Sequence, residues 1–198
     1  MQPGMFRHAP ARWAMFVLAA VACAALVGCT TTSPREKGGS AERSKEIDAG
    51  VDSTLSRLRE SSPDSRQLIE RAAGVLVFPA VLSVSFGVGA EHGDGALRVA
   101  RKTAGYYSTS SGSIGFQAGA QSKAIVLLFM TPDSLAQFRQ SDGWTAGADA
   151  TVAMASVGAN GRIDTNTMQQ PVVGFVMSNA GLMAGVSLQG TKISKITL

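Results

Sequence analysis

Arg98, Arg101 and Lys102 form the densest group of cations after residue 73. The pattern around them predicts a strand over 96–102, on which Arg98, Ala100 and Lys102 share one face while Leu97 and Val99 point inward. Two cations about 13 Å apart on an outward face, with Arg101 near the strand end, suit a phosphate-bearing surface, and they equally suit an ordinary solvated strand. Lys123 belongs to the same candidate set, and Arg162, Lys192 and Lys195 could extend it. Near an anionic membrane each cation is worth on the order of 1 kcal/mol, so three or four bind only weakly.

Other chemistry has little material. Glu91, His92 and Asp94 are the one acid–imidazole group, and they sit in a Gly-rich stretch with no Gly-x-Ser-x-Gly elbow elsewhere in the chain. Gly87-Val88-Gly89-Ala90-Glu91-His92-Gly93 misses the dinucleotide spacing by one residue and leads into a strand, and no phosphate loop occurs. With two Cys and two His in 198 residues, a Cys/His zinc site is not expected, nor is any other metal or cofactor. The modest charge and the lack of cations interleaved with aromatics argue against nucleic-acid binding. The expectation is a protein that binds and does not catalyse.

The elements that must position these residues follow from periodicity. Residues 29–72 are densely and evenly charged, and the chain beyond is sparsely charged. Ile47, Val51, Leu55 and Leu58 recur at helical spacing as a narrow apolar stripe. Such a stripe either packs on a core or lies in a membrane interface, and its narrowness and balanced polar face favour packing. A second helix is expected after Pro63, capped by Asp64 or Ser65, with Leu68 and Ile69 inward. Beyond Gly74 the period becomes two, predicting strands over 75–78, 83–90, 96–102, 113–121, 124–130, 148–156, 171–177 and 182–188. A turn is expected at Glu91-His92-Gly93-Asp94-Gly95 and another at Gly158-Ala159-Asn160-Gly161, with a helix over 132–140 opened by Thr131 and Pro132. The run 124–130 is continuously apolar, as a strand buried on both faces would be. Many strands with alternate glycines give an α+β, mainly β fold: an antiparallel, barrel-like core with about three helices on its outside.

The N-terminus reads as an address. Arg7 and Arg12 precede fourteen consecutive apolar residues, 13–26, too short to span a bilayer as a helix and suited to a signal-peptide core. Leu26-Val27-Gly28-Cys29 resembles the lipobox of bacterial lipoproteins. That resemblance implies cleavage after residue 28 and acylation of Cys29, hence a lipid-anchored envelope protein. Thr30, where the sorting pattern would otherwise have Asp, points to the outer membrane, facing the periplasm or the cell surface. The expected organisation is a leader over 1–28, a small-residue tether over 29–44, and a domain over 45–198 with helices to 73 and a β-rich core from 74.

Ala73-Gly74-Val75-Leu76-Val77-Phe78-Pro79 resembles the opening of the SYLF lipid-binding domain. Thr103-Ala104-Gly105-Tyr106-Tyr107-Ser108, Ile114-Gly115-Phe116-Gln117-Ala118-Gly119-Ala120-Gln121 and Gly147-Ala148-Asp149-Ala150-Thr151-Val152-Ala153 continue the likeness. Ser178-Asn179-Ala180-Gly181-Leu182-Met183-Ala184-Gly185-Val186-Ser187-Leu188-Gln189-Gly190 completes it over about residues 70–192. The chain departs from the pattern at Tyr107-Ser108-Thr109-Ser110 and ends soon after Gly190. The resemblance implies a non-enzymatic domain that binds anionic phospholipids, phosphoinositides in eukaryotic members. The alternative is a structural or protein-interaction lipoprotein that presents its loops to an envelope partner.

Overall fold

The computed structural model describes residues 39–156 and 162–198. The leader, Cys29, the tether up to residue 38 and the turn expected at 158–161 lie outside the described residues.

The apolar stripe forms helix α1 (Ser40–Ser61), so residues 40–44, expected in the tether, are its first turn. Ile47, Val51, Leu55 and Leu58 are buried at 7%, 0%, 6% and 0% exposure. They are therefore core residues and present no face to a membrane, because the sheet beneath them supplies the matching apolar surface. Helix α2 (Pro63–Arg71) opens with Pro63, and its cap is Ser62, whose hydroxyl accepts from the Ser65 amide at 3.0 Å. Asp64 does other work: its buried carboxylate accepts from the Ile163 amide at 2.9 Å and from Arg162 Nε at 3.0 Å.

The chain then runs into two very long strands, β1 (Gly74–Val99) and β2 (Lys102–Phe129), paired antiparallel from Gly74↔Phe129 to Val99↔Lys102. The three strands expected over 75–102 are one strand, and the two over 113–130 are another. The turn expected at 91–95 is strand, and the chain reverses instead at Ala100-Arg101, with φ of 49° and 64°. Two left-handed central residues fit the twist of a two-residue hairpin, although neither is the Gly or Asn that normally marks it. Arg98 and Lys102 consequently stand on different strands and do not share a face.

What Gly93 and Gly95 provide is close approach. A Cβ on Gly95 would stand 2.1 Å from the Val77 carbonyl oxygen, and one on Gly93 2.6 Å from that of Ala80. The first part of β1 is thus folded against its own last part. Between them the β1–β2 ribbon makes an outward bend near residues 82–90 and 112–122, with a register shift between Phe86 and Val88.

After helix α3 (Pro132–Gln140), capped by Thr131 as expected, come β3 (Trp144–Thr145) and β4 (Ala153–Met154). The four-residue helix α4 (Thr165–Met168), β5 (Val172–Ser178), β6 (Gly181–Leu182) and β7 (Lys192–Ile196) complete the chain. The strand expected over 182–188 shrinks to β6, and β7 was not foreseen. The sheet order is β3-β7-β2-β5-β4, with β4 parallel to β5 and the other pairs antiparallel. Over the described residues the fold is α+β and mainly β, a curled sheet forming a half-barrel with four helices. Residues 124–129 are buried on both faces: Ala124, Val126 and Leu128 join α1 and α2, and Ile125, Leu127 and Phe129 join α3 and Trp144.

Candidate functional site

Arg98 leaves the sheet on the side that α1 covers. Its Nη1 donates to Thr103 Oγ1 at 2.7 Å, and its Nη2 donates to Asp52 Oδ1 at 2.9 Å and to the Asp48 carbonyl at 3.4 Å. Asp48 and Asp52 are four apart on the helix, so one guanidinium reaches both. The Asp48 carboxylate also accepts from Thr103 Oγ1 at 2.9 Å and from the Tyr106 hydroxyl at 3.0 Å. Burial raises the Tyr106 phenol above its ordinary value of 10.0, and its bond to the Asp48 carboxylate raises it further. This network ties α1 to the hairpin end. The Arg98 Nε–H is buried and unpaired within it.

Beside the network, α1, α2 and the Ala100-Arg101 turn enclose a cleft of about 570 Å³. Leu55, Ile69, Ala72 and Val75 give it an apolar wall, and Arg59, Arg98 and Arg101 bring three guanidinium groups to it. Asp52 and Glu70 are also on its lining and moderate the positive potential. Arg59 and Arg101 have no hydrogen-bond or ion-pair partner among the described residues. The arrangement offers planar, multiply donating cations above an apolar surface, the chemistry that receives a phosphate attached to an apolar body.

The sequence candidates divide accordingly. Arg98 and Arg101 line the cleft. Lys102 is exposed at the start of β2 and is not on the cleft lining. Lys123 lies elsewhere, with its ammonium 2.8 Å from Glu91 Oε1. Burial would raise Glu91, but the hydrogen bond and charge of Lys123, with the Ser111 and Ser83 hydroxyls, outweigh it and hold the carboxyl below its ordinary value. Arg162 binds Asp64, while Lys192 and Lys195 are exposed on β7. His92 Nε2 is 3.7 Å from Asp94, whose other oxygen accepts from Arg43. Arg59 was missed because its position off the α1 stripe gives it the signature of a solvated residue. A cation in the last turn of a helix is common for electrostatic reasons alone.

The family model described as "Ysc84: Las17-binding protein actin regulator" matches residues 110–197. The Ysc84 (SYLF) domain likeness is thus found over residues 110–197. The matched part begins in the first third of β2 and runs through β7, and the cleft residues Arg59, Arg98 and Arg101 precede it. No curated protein matches the chain. The SYLF match supports lipid or protein binding in general. Within the segment after β5, Gly181, Gly185 and Gly190 have φ of 129°, 71° and 78°. A Cβ is rarely accommodated in those conformations, so these three glycines set the backbone path of that segment.

Proposed function

We propose that the protein is a membrane-tethered lipoprotein whose SYLF domain weakly binds anionic phospholipid or phosphoinositide headgroups, without catalysis, in the cleft between α1, α2 and the Ala100-Arg101 turn. Acylated Cys29 anchors it in the bacterial cell envelope, at the outer membrane. The carrying observation is that Arg59 and Arg101 stand without partners on a cleft that already holds Arg98 and an apolar wall. A volume of about 570 Å³ lies within the range of small-ligand pockets and suits a headgroup better than a whole lipid. The strained turn supports the same reading, since left-handed Arg101 holds its cation at the cleft. Asp52 and Glu70 keep the binding weak.

The test is an NMR titration of residues 39–198 with short-chain phosphatidylglycerol and a short-chain phosphoinositide. Saturable shifts confined to the surroundings of Arg59, Arg98 and Arg101 are expected. Shifts spread over all cations and abolished by modest salt overturn the site in favour of diffuse electrostatics. The words "Las17-binding" in the family description favour a second reading, a protein-interaction lipoprotein of the envelope. Crosslinking to one envelope partner, with no lipid response, would establish it.

A further inference from the structure

Leu82, Val84, Phe86 and Val88 alternate along the bend of β1 and are exposed at 54%, 53%, 87% and 70%. They are the large apolar side chains that the described surface leaves open, and they occupy one face of one segment. Pairing sets Ala120 opposite Val84 and Ala118 opposite Phe86. The intervening positions of β1 are Ser83, Ser85, Gly87 and Gly89, and neither 82–90 nor 103–122 contains a charged residue. At the base of the bend, Lys123 and Glu91 neutralise each other at 2.8 Å, with Ser111 Oγ donating to Glu91 at 3.0 Å. The ribbon therefore combines an apolar row with an uncharged segment, and a neutral ion pair closes it off.

The geometry points to this bend as a shallow membrane-inserting element that places Leu82, Val84, Phe86 and Val88 among the lipid headgroups and upper acyl chains. The inference rests on the reading that the protein works at a lipid surface, and names a second contact with that surface. Three observations select a bilayer as the occupant. The four side chains expose roughly 400–500 Å², which is the size of a functional patch and short of the ~800 Å² per partner that a standard protein interface buries. A docking protein surface would be expected to meet charged side chains around the patch, yet residues 82–90 and 103–122 carry none. Finally, Gly39 is ten residues from Cys29, so an acyl anchor there holds the start of the domain within about 35 Å of the bilayer. Both outer edges of the ribbon carry unpaired backbone groups near its bend, which limits entry to the depth of the side chains.

The test uses the full chain carrying Phe86→Trp, reconstituted in vesicles of phosphatidylcholine with or without phosphatidylglycerol, and containing lipids brominated at either shallow or deep acyl positions. The chain without Phe86→Trp supplies the background, which after cleavage at residue 28 comes from Trp144. The expected result is blue-shifted additional emission, quenched more by shallow than by deep bromines in both vesicle types, and lost when Val84→Asp is added. Water-like, unquenched emission overturns the inference, and if it accompanies concentration-dependent self-association the face belongs to a second copy. Because neutral vesicles suffice for this readout, its failure is separable from that of the headgroup site, which is read from the anionic-lipid response of residues 39–198.

Discussion

Replacing Arg98 should have a different consequence from replacing its two neighbours on the cleft. In Arg98→Met the bonds to Thr103, Asp52 and the Asp48 carbonyl are lost. Hydrogen bonds to charged groups contribute about 1.5–3 kcal/mol each when buried, but the Asp52 side chain is 72% exposed, so that pair is worth well under 1 kcal/mol after solvent screening. The substitution also removes the buried, unpaired Nε–H, which costs about 1–3 kcal/mol in the parent protein. Asp48 loses its 3.5 Å ion pair with Arg98 but keeps its bonds from Thr103 and Tyr106, so its carboxylate stays hydrogen-bonded. The net loss should be about 1–2 kcal/mol, or roughly 2–8 °C in Tm for a domain of this size. In Arg59→Ala/Arg101→Ala no side-chain hydrogen bond or ion pair among the described residues is broken, and stability should stay within about 0.5 kcal/mol. Two cations at on the order of 1 kcal/mol each should nevertheless cost about 30-fold in affinity for anionic vesicles. The assay pairs thermal unfolding of residues 39–198 with co-sedimentation on phosphatidylcholine vesicles with and without phosphatidylglycerol. Unchanged vesicle binding in the double variant would refute the cleft as the headgroup site. A fully stable Arg98→Met would refute the account of Arg98 as the tie between α1 and the hairpin.

Four other outcomes follow from single features. Leu58→Ala, at a fully buried position of α1, should cost about 2–5 kcal/mol in denaturant unfolding, whereas a membrane-facing residue would cost almost nothing. Gly95→Ala, whose methyl would meet the Val77 carbonyl, should destabilise by about 3 kcal/mol or prevent folding, while Gly185→Ala, left-handed but in open space, should cost only about 1–2 kcal/mol. Ala100→Gly should stabilise by about 1 kcal/mol by relieving the left-handed turn, and a loss of stability would show that the turn is not where the structure has it. Glu91 is held below its ordinary value of 4.5, so its contribution is fully present above about pH 4.5 and is lost as pH falls through the lower folded value. Acid unfolding of Lys123→Met should show less of that dependence, and an identical acid limb would argue against the pair.

Local chemistry was legible wherever a short segment sufficed. The α1 stripe, the Thr131-Pro132 start of α3 and the doubly buried run at 124–129 depend on periodicity and capping within a few residues, and each stands in the structure at its expected place. The SYLF resemblance was legible for a related reason, since residues such as Gly181, Gly185 and Gly190 answer backbone demands made at their own positions. The hairpin was not. Glycine is called for both by a turn and by a close approach, and the Gly-rich run at 91–95 carries the same letters in either case. Only the folding of β1 onto itself shows that Gly95 is needed for contact with Val77, and that the reversal falls at Ala100-Arg101. The candidate site was divided in the same way. The sequence by itself selected Arg98 and Arg101 as cations worth attention, along with Lys102 and Lys123, because charge density is a property of neighbours in the chain. Which of them remain available to a ligand depends on partners 32 to 50 residues away, Asp48 and Asp52 for Arg98 and Glu91 for Lys123. Arg59 joins them only because α1 crosses the hairpin end. Those pairings are made by packing α1 on the sheet and by curling the ribbon, and such long-range contacts leave no periodic trace in one chain.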